Sequence, residues 1–267
     1  MFEHFKATWF AGLRSNSFRV IGIFAVMLML SAYLASTFSG RHPQTVAIDV
    51  GISGIRAVSI LLSLFWMQEL LGREIDRRTV YFALSYPTTR SAYLLGRYLG
   101  IVCMVAVAIG LLSISVYIVV AASAAGYHQA FSVRFGMEYL LTIAFVILDA
   151  AVIAGFTLMI SSFASTSLLP LSVGAAFAII ARGYGPVLSF LLDKNGEGAD
   201  IAGTYVPLIK LFGWFIPDLS QLDIRAAVMY GDIPSVAVAL GSALHALSYL
   251  AIMLVASCLL FSRREFN

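Results

Sequence analysis

Residues 98–122 read YLGIVCMVAVAIGLLSISVYIVVAA, a run that contains no charged residue. A helix that crosses a bilayer needs about 20 consecutive apolar residues, and this run exceeds that. Five more stretches qualify, at roughly 19–38, 48–70, 138–161, 168–190 and 236–261. Period-2 alternation is absent, so helices are expected, and a barrel, whose strands must alternate, is not. The runs at 48–70, 98–122 and 138–161 are long, which allows tilt without fixing an angle.

Composition agrees. The 267 residues are 60% hydrophobic and 12% charged, whereas soluble domains average about 45–50% and 25%. Lipid must cover part of that surface. The net charge of +3 comes with no long basic run, so it points to membrane topology and not to a nucleic-acid surface. Cys103 and Cys258 both lie inside apolar runs, which argues against a disulfide and against a metal site. The first apolar run is too long for a signal peptide and has no small-residue cleavage site.

Orientation follows from Lys and Arg near the ends of the spans. Lys6, Arg14, Arg19, Arg73, Arg77, Arg78, Arg90, Arg97, Arg263 and Arg264 fall on one side. Arg41, Arg134, Arg182, Lys194, Lys210 and Arg225 fall on the other, mixed with acids. Both termini are therefore expected in the cytoplasm. Within residues 1–18, Phe2, Phe5, Trp9 and Leu13 recur at helical spacing, as in an interfacial helix lying on the leaflet.

Two segments fall outside the spans. The cytoplasmic one, 72–97, reads GREIDRRTVYFALSYPTTRSAYLLGR. Charges cluster at its entrance (Glu74, Asp76, Arg77, Arg78), an apolar turn follows at Val80–Leu84, and Pro87 stops the helix. Thr88 or Thr89 can then cap the next helix. A short helix with a greasy face could seat in a groove on a cytoplasmic partner. A solvated connector whose arginines only obey the positive-inside rule fits equally well. The external segment, 183–235, opens with Gly183-Tyr184-Gly185-Pro186, which is expected to break the fifth helix. Its apolar pieces are too short to span, so one or two re-entrant helices in the outer leaflet are expected.

The stretch from Glu74 onward resembles the permeases of the ABC type-2 transporter family. In these the second membrane helix is followed by an acidic pair, a Thr, Pro-x-x-Arg and a Gly with a basic residue. The matching positions are Glu74, Asp76, Thr79, Pro87, Arg90, Gly96 and Arg97, with Gly100 one turn later. The late segment Ile216-Pro217-Asp218-Leu219, with Leu222-Asp223, is similar to a motif these permeases carry before their last helix. The likeness covers the whole chain and is strongest to the branch associated with multicopper enzyme maturation. Arg78 stands where a small residue is common, and Asp218 where Asn is common.

The resemblance implies a single all-α permease domain over 1–267, in the bacterial cytoplasmic (inner) membrane. It would have an N-terminal interfacial helix, six spans, a cytoplasmic coupling helix between helices 2 and 3, and a re-entrant outer segment between helices 5 and 6. Two copies would pair, each docking a separate ABC ATPase subunit through the coupling loop. ATP and Mg would then be bound by that partner, with no cofactor or catalytic residue in this chain, and transport would run outward.

The motif inventory supports that division of labour. The chain has no G-x-x-x-x-G-K-[ST], no H-E-x-x-H and no G-x-G-x-x-G. Polar residues inside the spans are the remaining candidates. Arg56, Asp149 and His245 all fall about 10–17 Å below the outer helix ends, where each is costly unless paired or facing water. An Arg56–Asp149 pair is compatible in depth. It could be a structural lock between helices or a polar element on a substrate path. Asp49 and Glu69 lie near helix ends and are expected to reach the interface.

Three other functions remain in view. A gradient-driven secondary transporter would show internal repeats and paired broken helices. An intramembrane serine protease would use Gly51-Ile52-Ser53-Gly54 with His245, a short motif that needs its structural context to count. A purely structural anchor would not need charges inside its spans.

Overall fold

The computed structural model describes residues 1–14, 17–72, 89–124, 133–164, 166, 168–192, 206–207, 211, 213 and 216–263. Among these there is no strand, and the chain is helical. Helix α1 (Phe2–Arg14) leads into α2 (Ser17–Phe38) and α3 (Pro43–Met67), which ends in a π-helical turn at Gln68–Gly72. Then come α4 (Arg90–Ala124), α5 (Met137–Phe163) and α6 (Leu168–Leu192). A 3-10 turn (Leu219–Leu222) and the short α7 (Arg225–Tyr230) precede α8 (Val236–Arg263). Six helices, α2 to α6 and α8, are long and apolar enough to cross a membrane, and they coincide with the six expected runs.

Helix α5 is the most enclosed of the six and α2, α6 and α8 the least. Helix α3 packs mainly on α4 and α2, while α8 lies along α5. Ile52, Ile55, Leu112, Val116, Ala150 and Ala154 are among the buried residues that join these helices in one apolar core. A second cluster around Ile153, Phe177 and Met253 ties α6 and α8 to α5. There the Phe156 and Phe177 rings stack with centroids 3.9 Å apart. The remaining surface of α2 is apolar and exposed at Ile23, Val26, Met27 and Leu30, as expected for a helix that faces lipid on one side.

The patterned N-terminus does form a helix. Phe2 and Phe5 stack at 6.3 Å between ring centroids, and Phe5 and Trp9 at 6.4 Å. Helix α1 packs on the first turns of α4 through two glycines. A Cβ at Gly96 would sit 2.6 Å from the Met1 carbonyl oxygen, and one at Gly100 would sit 2.7 Å from the Thr8 Cβ. Both glycines therefore admit the backbone of α1. Arg97 donates to the Thr8 hydroxyl at 3.1 Å. At the start of α4 the Thr89 hydroxyl accepts the Ala92 N–H at 3.3 Å, which is the cap expected there.

The expected break at Gly183-Tyr184-Gly185-Pro186 does not occur. Helix α6 runs through all four residues to Leu192, with Pro186 inside it. Proline costs about 3 kcal/mol in a water-exposed helix interior. Membrane helices tolerate it because neighbouring groups satisfy the freed carbonyl. The segment between α6 and α8 thus starts beyond Leu192 and not at 183, and its described residues include the 3-10 turn and α7.

Candidate functional site

Helix α3 places Asp49, Ser53 and Arg56 on one face, spaced four and three residues apart. The stretch Leu222–Arg225 crosses this face at the end of the bundle opposite α1. The Arg225 Nη1 group lies 2.8 Å from Asp49 Oδ1 and donates to the Ser53 hydroxyl at 2.5 Å. Its Nε is 3.3 Å from Asp223 Oδ2. The same carboxylate oxygen is 2.6 Å from Arg56 Nη1, while Arg56 Nη2 donates to the Leu222 carbonyl at 3.3 Å. Arg56 Nε reaches within 3.7 Å of Asp149 Oδ2 on α5, and Arg182 on α6 pairs with that same oxygen.

The result is one chain of alternating sign: Asp49, Arg225, Asp223, Arg56, Asp149, Arg182. It joins α3, α5, α6 and the segment that leads into α7. Exposure falls along it as far as Asp149. The Asp49 side chain is 49% exposed, that of Arg56 11%, and that of Asp149 0%. A lone carboxylate at the position of Asp149 would be very costly, and two guanidiniums offset that cost. The arrangement is nevertheless not saturated. Asp149 Oδ1 and the Nε atoms of Arg56 and Arg182 are buried and make no hydrogen bond within the described residues. A network with spare donors and acceptors can exchange partners, which a fully satisfied one resists.

The Arg56–Asp149 pair is the one its depth permits, and Asp49, expected at the interface, pairs with Arg225. Arg182 and Arg225 belong to the same site although their charges point first to external topology. Arg182 lies inside the apolar run 168–190, and the rule that singles out Arg56 applies to it equally. His245 does not join. It sits on an exposed face of α8, its ring edge-on to Tyr249 with centroids 5.2 Å apart. Ser53, the serine of the G-x-S-G match, is engaged by Arg225.

Of the positions expected in the re-entrant segment, Asp218 and Gly185 meet at the turn that leads to Asp223. Asp218 caps the 3-10 turn after Pro217, accepting from the Ser220 N–H at 3.1 Å, the Ser220 hydroxyl at 2.6 Å and Gln221 Nε2 at 3.1 Å. Gly185 is the close-approach point: a Cβ there would come within 2.8 Å of both Asp218 carboxylate oxygens. Gly183 faces open space.

At the other end of the bundle, Arg90 donates to the Ser262 carbonyl at 3.0 Å, joining the start of α4 to the end of α8. Tyr93 stacks on the fully buried Phe261 and meets His4 edge-on. Arg90 therefore holds a structural contact, while Glu74, Asp76, Arg77, Arg78, Thr79 and Pro87 lie outside the described residues. The described residues contain no group of His, Cys, Asp or Glu able to hold a metal ion. Cys103 and Cys258 are both free thiols. No family model and no curated protein matches the chain.

Proposed function

We propose that this chain is the membrane permease subunit of an ATP-driven ABC exporter, working as a homodimer that docks two separate ATPase subunits. It would reside in a bacterial inner membrane with both termini in the cytoplasm. The observation that carries this reading is the ordered set Glu74, Asp76, Thr79, Pro87, Arg90, Gly96, Arg97 and Gly100 directly after the second of six spans. Two members of the set, Gly96 and Gly100, are where α1 meets α4 at backbone distance. The same motif thus contains a charged partner-facing loop and the seat of the helix beside it. ATP and Mg would be bound by the partner, and this chain would contribute movement and a path.

The test is co-expression with an ABC ATPase found in an adjacent reading frame. A complex with two copies of each subunit is expected, and ATP turnover only when both are present. Reversing Glu74 or Asp76 to Lys adds positive charge on the cytoplasmic side, so insertion should be preserved. Docking should fail, because a like-charge or unpaired buried charge at an interface costs several kcal/mol. Unchanged co-purification and transport in both variants would remove the coupling role of this loop.

A second reading, a gradient-driven secondary transporter, has one observation in its favour. Asp149 is a carboxylate inside a span with one oxygen unengaged, the kind of group that proton-coupled carriers use. Transport that persists without any ATPase and collapses with the proton gradient would select it.

A further inference from the structure

A groove outside the charge network lies between α5 and α8, with α7 as its floor. Its volume is about 420 Å³, and its walls include Phe145, Leu148, Ala227, Pro234, Ala239 and Leu240. It opens sideways past the exposed side chains of Leu141 and Leu240. From Glu138 at its mouth to Leu148 at its deep end, α5 rises about 15 Å. That is half of a hydrocarbon core of about 30 Å. The groove is as long as one leaflet is deep, which is the shape of a slot for a single acyl chain.

Apolar walls alone do not choose an occupant, because lipid tails are as apolar as the side chains they would touch. The rim does. Glu138 lines the mouth with its side chain 18% exposed, and Arg134, 59% exposed, stands 4.0 Å from it, at the outer limit of an ion pair. The backbone of Arg134 is held by α7. Its backbone N–H donates to the Val228 carbonyl at 3.2 Å, and its guanidinium lies over Gly231, where a Cβ would be 3.1 Å from Cζ. Gly231 has φ 72° and closes α7. The mouth therefore offers a cation beside an anion, and both retain hydrogen-bonding capacity. Its complement is a headgroup with a phosphate and a primary ammonium. A trimethylated amine cannot donate to the carboxylate, and a glycerol headgroup brings no cation.

We infer that this groove binds one phosphatidylethanolamine-type phospholipid from the leaflet opposite α1. One acyl chain lies between α5 and α8, the phosphate on Arg134 and the ammonium on Glu138. The deep end of the chain reaches Leu148 and Ile224, the sequence neighbours of Asp149 and of Asp223 and Arg225. A bound lipid thus braces two of the walls that hold the charge network. The site does not depend on ATP coupling, and its test needs no ATPase.

The full-length protein is reconstituted with equimolar phosphatidylethanolamine, phosphatidylcholine and phosphatidylglycerol, and the lipid retained is weighed by native mass spectrometry. One retained lipid per chain is expected, enriched in the ethanolamine class about fivefold, the factor that ~1 kcal/mol corresponds to. Glu138→Gln should keep the lipid but lose the headgroup preference. Ala239→Phe, which fills the slot, should lose the lipid itself. Retained lipid that mirrors the supplied mixture in the wild-type protein, or an undiminished preference in Glu138→Gln, overturns the inference. The Gln variant changes one charge at the rim, so the result stands even where Ala239→Phe does not fold.

Discussion

Removing the Asp149 carboxylate perturbs the centre of the charge network, and the geometry gives the size of the effect. Arg56 keeps Asp223 at 2.6 Å when Asp149 becomes Asn. Arg182 does not fare as well, because Asp149 is the partner shown for it among the described residues. Breaking a buried ion pair from one side costs about 3–5 kcal/mol. The Arg182 side chain is 20% exposed and can gain some water, so about 2–4 kcal/mol is expected for Asp149→Asn. Arg182→Met should cost less, since Asp149 then still faces Arg56 at 3.7 Å. The double variant Asp149→Asn with Arg182→Met leaves no stranded charge on α5 or α6. It should be less destabilised than the sum of its parts by about 1.5–3 kcal/mol. Equilibrium unfolding in mixed micelles, followed by the fluorescence of Trp9, Trp66 and Trp214, measures all three. Strict additivity, or an Asp149→Asn variant within about 0.5 kcal/mol of the wild type, refutes the idea that this pair locks α5 to α6.

Other expectations follow from the same contacts. Gly96→Leu or Gly100→Leu should displace α1 from α4, since neither position has room for a Cβ; protease cleavage near residue 9 should accelerate while the six spans stay folded. Arg225→Ala should cost only about 0–1 kcal/mol, because its pair with Asp49 is 36% and 49% exposed. A loss as large as that of Asp149→Asn would mean the Asp49–Arg225 half of the network is drier than its exposure indicates. Pro186→Ala restores a helical N–H within α6 and should leave stability unchanged or raise it by about 1 kcal/mol, measured in the same micelle assay. Single cysteines at Arg78 and Asn195, in a background without Cys103 and Cys258, should label from opposite faces of intact vesicles; labelling from one face would change the count of crossings.

The six spans are legible from sequence because the bilayer imposes a length and a composition that few residues violate. The same legibility extends to α1, whose aromatic residues recur on one face, and to the cap at Thr89. It fails at Gly183–Pro186. Glycine and proline are breakers when the alternative is water, and inside a bundle the neighbours decide. The site divides in the same way. Arg56 and Asp149 are conspicuous as charges in apolar runs at matching depth. Arg225 and Asp223 lie in a segment of mixed polarity, and only the fold brings them over α3. His245 is just as conspicuous in the sequence, yet it points away, because depth along a helix says nothing of which face a residue occupies.

The charge network also has an electrical consequence. Moving one elementary charge through a membrane potential is worth about 2.3 kcal/mol per 100 mV. Helix α3 contributes one acid and one base to the network, Asp49 and Arg56. The stretch before and into α7 contributes another such pair, Asp223 and Arg225. Either element can therefore shift along the membrane normal with its two network charges cancelling, so voltage neither drives nor opposes that part of the motion. The exception is the last pair, split between two helices: sliding α5 against α6 would separate Asp149 from Arg182 and carry a full charge through the field.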